Sequence, residues 1–280
     1  MKYKMILCDF DGTLGTAGSV MDEDERPTMT ERAVRAIKQY RAKGGIFILC
    51  TGRAYSSCVK YAETLGLTEQ KVGVTCLMGT LIPDKDGNPI FDLPLNYDVS
   101  LRIARALDTT GEYYHFYDRD DIYVKEHNDI TRNYERICGV KVKAVGKLGE
   151  FIAKSGKRAN KFVVICKGDD SAVRHKISEL NIDGLEIGHS GPKYLEIYSA
   201  AAGKGRAVEE LCKIYGIDKE DVMAIGDSFN DISMIEAAGL GVAVGNASDE
   251  VKAMADYVCE ANYDDGVAKT IEKFCLSDKE

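Results

Sequence analysis

Apolar and polar positions fall into a strand–helix rhythm from the first residues. Tyr3 to Cys8 is an apolar run of strand length, and "TMTERAVRAIKQYRAKGG" (28–45) follows with the period of an amphipathic helix. Thr28 and Glu31 have capping-box spacing, Ala33, Ile37 and Tyr40 share one face, and Gly44 can close the helix. "GIFILC" (45–50) predicts a buried strand and "TGRAYSSCVKYAETLG" (51–66) its following helix. Strand–helix–strand units of this length imply right-handed crossovers and a parallel sheet.

The rhythm then changes. "VGVTCLMGTLIPDKDGNPIFDLPL" (72–95) predicts two short strands joined at Asp86-Gly87, with Pro89 and Pro94 bracketing a linker. From about 95 to 189 the pattern is helix, two strands ("EYYHFYD", "DIYVKE"), helix, strand, helix, strand ("NKFVVICK"), helix and strand, the mixture of an α+β module with an antiparallel sheet. The first rhythm resumes with the strand-like "YLEIYS", "DVMAIGD" and "GVAVG", separated by the helical "GKGRAVEELCKIYG" and "FNDISMIEAAG". "SDEVKAMADYV" and a final turn-rich stretch complete the alternation. The fold class expected is α/β, a Rossmann-like parallel-sheet core made of residues 1–93 and 190–280, with an inserted α+β domain at 94–189.

Composition narrows the partners. Hydrophobic residues at 45% and charged residues at 29% are ordinary globular values, so disorder and fibrous classes are set aside. A formal net charge of −8 argues against a nucleic acid or an anionic membrane, so an anionic substrate would need local positive charge from the site itself. No apolar run approaches the ~18 residues of a membrane span. The nine cysteines show no C-x-x-C spacing, and several lie in apolar runs, as small core hydrophobes do in a reducing cytoplasm. These features predict a soluble cytoplasmic protein with no obligate protein partner.

The candidate chemistry begins in "ILCDFDGTL" (6–14), where an apolar strand ends in two aspartates, Asp9 and Asp11, followed by Gly12. Side chains at i and i+2 on a strand end point to the same side, and two anions held so close need a cation or a proton. Further polar clusters fall at the ends of predicted core strands: Thr51-Gly52, Lys204 at a helix start, and "GDSFND" (226–231). Ligands of open α/β sheets collect outside the carboxyl ends of the strands. Asp9, Asp11, Asp227 and Asp231 would bring several negative charges into one crevice, which suits a hard cation such as Mg²⁺ (magnesium). Lys204, the Thr51 hydroxyl and the backbone N–H groups of Phe10, Asp11 and Gly52 offer donors to an anion. Such a set forms a phosphoryl-transfer site.

"DFDGTL", "TGR", "GKGRA" and "GDSFND" resemble the four motifs of the haloacid-dehalogenase-like (HAD) phosphatases, in order and on the expected elements. The inserted module and the tail "GVAVGNASDEVKAMADYV" resemble the Cof-type subgroup, whose cap lies between the second and third motifs. The resemblance implies that Asp9 is the nucleophile forming an aspartyl-phosphate. It implies that Asp11 protonates the leaving oxygen and then helps deprotonate water. Mg²⁺ would be bound by the Asp9 and Asp227 carboxylates and the Asp11 carbonyl, with Asp231 steadying its water shell. Thr51 and Lys204 would hold the transferring oxygens, Lys204 also restraining Asp9, and Asn230 would touch the phosphate. One departure is Met78-Gly79, where family members often carry Asn-Gly.

Taken singly, each residue has a structural explanation. Paired aspartates serve turns, Thr51 would cap a helix, and Lys204 would be solvated, though disfavoured by the helix dipole. Their coincidence at one sheet edge favours catalysis. The function expected is a Mg²⁺-dependent phosphatase acting on a small phosphorylated metabolite, with the cap closing over the leaving group. A phosphomutase of the same fold, a non-catalytic phospho-ligand sensor and, more remotely, a D-x-D-type glycosyltransferase are the alternatives. In the inserted module, Tyr113, His115 and Tyr117 share one strand face and are expected to pack within the sheet. Arg174 and His175 are expected to be solvated, and Arg158, Lys161 and Ser190 are secondary candidates for substrate contact.

Overall fold

The apolar run that follows Lys4 forms an interior strand of a six-stranded parallel sheet. The structure, a computed structural model, describes residues 2–16, 27–166, 168–191 and 193–277. In chain order β1 (Met5–Cys8), α1 (Glu31–Ala42), β2 (Ile46–Cys50), α2 (Tyr55–Leu65) and β3 (Val74–Thr75) come first. A two-stranded ribbon of β4 (Leu81–Pro83) and β5 (Pro89–Asp92) follows. Next come α3 (Tyr97–Leu107), β6 (Tyr113–Asp118), β7 (Asp121–Val124), α4 (Asp129–Cys138) and β8 (Val142–Ala144). They are followed by α5 (Leu148–Ser155), β9 (Lys161–Ile165), α6 (Ser171–Ser178), β10 (Leu185–Gly191) and β11 (Tyr194–Ser199). The chain ends with α7 (Lys204–Tyr215), β12 (Val222–Gly226), α8 (Ile232–Ala237), β13 (Leu240–Ala243), α9 (Asp249–Met254), β14 (Tyr257–Val258) and α10 (Gly266–Ile271).

Two compact units divide these elements: Met1–Phe91 with Gly203–Glu280, and Asp92–Ala202. The first carries the parallel sheet in the order β14-β13-β12-β1-β2-β3. Both faces of such a sheet are covered, so its strands read as continuous apolar runs. Met5 and Leu7 share one face with Ile48, Val222 and Ala224 and pack against Ala207, Val208 and Leu211 of α7. Helix α1 buries Ala33, Ala36, Ile37 and Tyr40, and the Tyr40 hydroxyl donates to the Tyr3 carbonyl at 3.1 Å.

The α1 cap is Thr30, whose hydroxyl accepts from the Ala33 N–H at 3.1 Å, and not Thr28. Thr28 is committed elsewhere, exchanging two backbone hydrogen bonds with Thr16. The hairpin at Asp86-Gly87 forms as expected, with the Asp84 side chain accepting from the N–H groups of Asp86 and Asn88. Pro89 sits inside strand β5, so the linker is shorter than Pro89–Pro94. The final stretch expected to be turn-rich holds α10 and a helical turn over Glu272–Leu276.

The second unit is a six-stranded sheet ordered β10-β11-β9-β6-β7-β8, antiparallel except where β7 meets β8. Its core holds Tyr114, Phe116, Phe162, Val164, Leu195 and Ile197 with residues of α3, α5 and α6. "YLEIYS" therefore belongs here, as β11, and not to the parallel core. Leu195 and Ile197 are spent on this unit's core, and β11 pairs antiparallel with β9 and β10. The unit boundaries fall after Phe91 and Ala202, where residues 93 and 189 were expected.

On the other face of β6, His115 is fully buried among the rings of Tyr113, Tyr117 and Tyr134, its ring nitrogens without hydrogen-bond partners among the described residues. Lys161 pairs with Glu196 at 2.8 Å, and Ser190 donates to the same carboxylate at 2.6 Å. Arg174 pairs with Asp170 at 2.7 Å, whereas His175 is exposed. All nine cysteines are free thiols, eight of them buried. Among the described residues no helix is long and apolar enough to cross a membrane.

Candidate active site

Strand β1 stops at Cys8, but the Asp9 N–H still bonds to the Ile225 carbonyl of β12 at 2.9 Å. Cys8 is level with Ile225 on one side and Leu49 on the other, so Asp9, Thr51 and Asp227 leave neighbouring strands at the same sheet edge. Lys204 opens α7 and points into this edge. Its Nζ donates to Asp9 Oδ1 and Asp231 Oδ1, each at 2.5 Å, and all three side chains are buried.

Asp231 organises the loop after β12. Its Oδ2 accepts from the backbone N–H groups of Asp227 (3.1 Å) and Ser228 (3.0 Å), turning the chain so that Asp227 faces β1. Thr13 donates through its hydroxyl to Asp227 Oδ1 at 2.6 Å. Gly12, with φ +86°, lies between them, where an added Cβ would sit 2.5 Å from Asp227 Oδ2. The glycine is required both by its backbone angle and by that contact.

The electrostatics follow from burial. Burial drives the Asp9 carboxyl well above the usual carboxylate range; Lys204 opposes the shift, and Asp231 and Asp227 add to it. Burial, then Asp231, pushes Asp227 up to about 6, with the Thr13 bond opposing. Burial acts to lower Lys204, but Asp231 and Asp9 outweigh it and hold the ammonium charged. One Lys thus faces three clustered aspartates. One oxygen from each of Asp9, Asp227 and Asp231 lies within 4.8 Å of the others. This excess of hard oxygen donors, two buried and Asp227 half-buried, fits a divalent cation.

The two aspartates of "DFD" do not point together. Beyond Cys8 the chain is a turn, closed by the Gly15 N–H on the Phe10 carbonyl at 2.7 Å, so the two-residue strand period no longer applies. Asp11 turns to Arg53 and accepts from its Nε and Nη2 at 2.6 Å each. Each aspartate therefore has its own cation, Lys204 for Asp9 and Arg53 for Asp11.

Thr51 is not a helix cap, because α2 begins after Ala54. The Thr51 side-chain oxygen accepts from the Arg53 N–H at 3.1 Å. Gly52 lies in the same turn between β2 and α2, and Phe10 lies between Asp9 and Asp11 with its ring 4.3 Å from that of Tyr61. Asn230 accepts from the Ser228 hydroxyl at 2.8 Å, and its amide faces the Met78 sulfur at 3.9 Å. Met78 is left-handed (φ 61°), as are Leu77 (φ 52°) and Gly79 (φ 78°). Asn is favoured at such angles among non-glycine residues, which gives the departure at Met78 a physical cost.

Sequence reasoning missed Thr13, Arg53, Ser57 and Asn246. Thr13 and Arg53 stand inside the motifs "DFDGTL" and "TGR", so composition pointed to them without indicating their partners. Asn246 donates to the Gly12 carbonyl at 2.8 Å from "VGNAS", and nothing in its local sequence signals this.

Comparison with known proteins extends these observations. Residues 6–271 match the family described as haloacid dehalogenase-like hydrolase. A relative from Bacillus subtilis, the 5-amino-6-(5-phospho-D-ribitylamino)uracil phosphatase YcsE, is 31% identical, covering 98% of this chain and 96% of its own. A phosphoglycolate phosphatase of Methanobrevibacter smithii is 47% identical over 95 residues, 34% of this chain and 40% of its own. Among solved structures, a haloacid dehalogenase-like hydrolase from Bacteroides thetaiotaomicron superposes with a TM-score of 0.82 at 26% identity, covering 97% of this chain and 99% of its own.

Proposed function

This chain belongs to the haloacid dehalogenase-like hydrolase family, and we propose on that premise that it is a Mg²⁺-dependent phosphatase of a small phosphorylated metabolite. The observation that carries the reading is Asp9: a buried carboxylate at a sheet edge, 2.5 Å from Lys204 and grouped with Asp227 and Asp231.

The steps follow from the side chains. Lys204, which opposes the protonation of Asp9 that burial favours, orients one Asp9 oxygen and leaves the other to attack phosphorus. As the Asp9–phosphorus bond forms, the ester P–O bond breaks, its electron pair passes to the leaving oxygen, and Asp11 supplies the proton. Water then attacks the aspartyl-phosphate, gives its proton to Asp11, and Asp9 departs as carboxylate with free phosphate released. Thr51, Lys204 and the backbone N–H groups of Phe10 and Gly52 would hold the phosphoryl oxygens, with Asn230 at the edge. Asp9, Asp227 and the Asp11 carbonyl would hold the cation, and Asp231 keeps the loop and Lys204 in place. The bound ion supplies neutralising charge for the phosphoryl group and the carboxylates.

The two phosphatases compared above are named for unlike substrates, so this reading stops at a small phosphate ester. Asp9→Asn should abolish Mg²⁺-dependent phosphate release from p-nitrophenyl phosphate. Turnover equal to the parent in protein free of host phosphatase would overturn the assignment.

A further inference from the structure

We infer that Arg53 is a positioning residue for Asp11: its guanidinium fork fixes the carboxyl that serves the leaving oxygen. The inference rests on the role proposed for Asp11.

Arg53 is nine-tenths buried and held at both ends. Its backbone N–H donates to Thr51 Oγ1 at 3.1 Å, and its carbonyl accepts from the Leu77 N–H at 3.0 Å. Nη1 donates to Ser57 Oγ at 3.2 Å, while Nε and Nη2 take the two Asp11 oxygens at 2.6 Å each. The guanidinium centre lies 5.6 Å from the centroid of the Phe10 ring. Two parallel N–H···O bonds fix both the plane and the direction of a carboxylate, which a single point charge does not do.

Asp11 needs that restraint. It lies beyond β1 in an isolated bridge with Gly15 and precedes the left-handed Gly12, so the pleat of a strand does not set the direction of its side chain. A carboxylate has about four lone-pair sites, and Arg53 occupies two of them. Asp11 can therefore take a proton from water with the fork intact. When it carries that proton for a leaving oxygen, one fork bond yields and the other still aims the group. The proton passes to the leaving oxygen as the P–O bond breaks, and both fork bonds close again.

The test compares two esters in the presence of Mg²⁺. The alkoxide of glycerol 2-phosphate must be protonated as it leaves, whereas the phenolate of 2,4-dinitrophenyl phosphate leaves unaided. In kcat/KM, which reports the first phosphoryl transfer, Arg53→Ala should lose about 100-fold on the glycerol ester and less than about 3-fold on the dinitrophenyl ester. Arg53→Lys should recover part of the glycerol-ester rate. Ser57→Ala, which removes one outer bond, should shift the ratio in the same direction by a smaller factor, and it serves if Arg53→Ala does not fold. Equal losses on both esters overturn the inference. Asp11→Asn separates it from the reading beneath: if that variant keeps the parent's ratio, the Asp11 role fails. If it changes the ratio and the Arg53 and Ser57 variants do not, the Arg53 inference alone fails.

Discussion

Asp9 Oδ1 and Lys204 Nζ lie 2.5 Å apart and buried, although 195 positions separate them in the chain. Because the ammonium also holds Asp231, its removal strands two buried carboxylates. Lys204→Met should destabilise the metal-free protein by about 3–5 kcal/mol and cut phosphate release at least ~100-fold. Urea titration in EDTA and a steady-state assay read the two effects. A variant as stable as the parent would mean that the carboxylates do not depend on the lysine.

Gly12 is the hinge between the two aspartates and Asp227. Gly12→Ala places a methyl group 2.5 Å from Asp227 Oδ2 and forces a side chain into left-handed backbone. We expect a loss of about 1–3 kcal/mol in stability and at least ~10-fold in kcat. Thermal melting and phosphate release check this, and wild-type activity in the alanine variant would show that the loop is free to shift.

Asp227, raised to about 6, sets a pH dependence. Its folded value lies above the unfolded value, so in metal-free protein its contribution is fully present below about 4 and is lost as pH rises through 6, by up to ~1.4 kcal/mol per pH unit. A cation binds the deprotonated form. The rise in Tm on adding Mg²⁺ should therefore be larger at pH 7.5 than at pH 5, and Asp227→Asn should reduce it at both. Equal shifts at the two pH values would sink this assignment.

His115 acts in the opposite sense. Burial, with Lys161 adding, lowers it to about 3. The folded protein thus excludes a proton that the unfolded chain binds below about 6.5, and stability falls as pH drops from 6.5 toward 3. At pH 5 the loss is about 2 kcal/mol. His115→Phe should flatten this limb, read as the pH 5 to pH 7 difference in urea midpoints against the parent. An unchanged difference would place a charged or solvated imidazole in the folded state.

Much of this was legible because parallel sheets write themselves as apolar runs with polar residues at one end. Asp9, Thr51 and Asp227 could be placed at the edge from strand ends, whereas Lys204 reaches it from the start of α7 and follows no strand of the parallel sheet directly. "YLEIYS" could not be placed, since a strand buried on both faces reads the same whether its neighbours run parallel or antiparallel, and only the pairing with β9 and β10 decides. The α1 cap was misjudged because Thr28 and Thr30 both suit an N-cap, and the long-range bridge to Thr16 removed one of them. The Arg53–Asp11 fork depends on a turn beyond β1, where the two-residue period had already ended.

The order β12-β1-β2 has a consequence for synthesis. On the ribosome β1 emerges long before one of its two neighbours, which is written at 222–226. Until then the nascent chain exposes an unpaired apolar edge, the kind that recruits foreign strands. The strands of the second unit lie between 113 and 199 and are complete before β12 appears. Translation stalled near residue 200 should therefore yield an aggregation-prone polypeptide that a holding chaperone would have to shield.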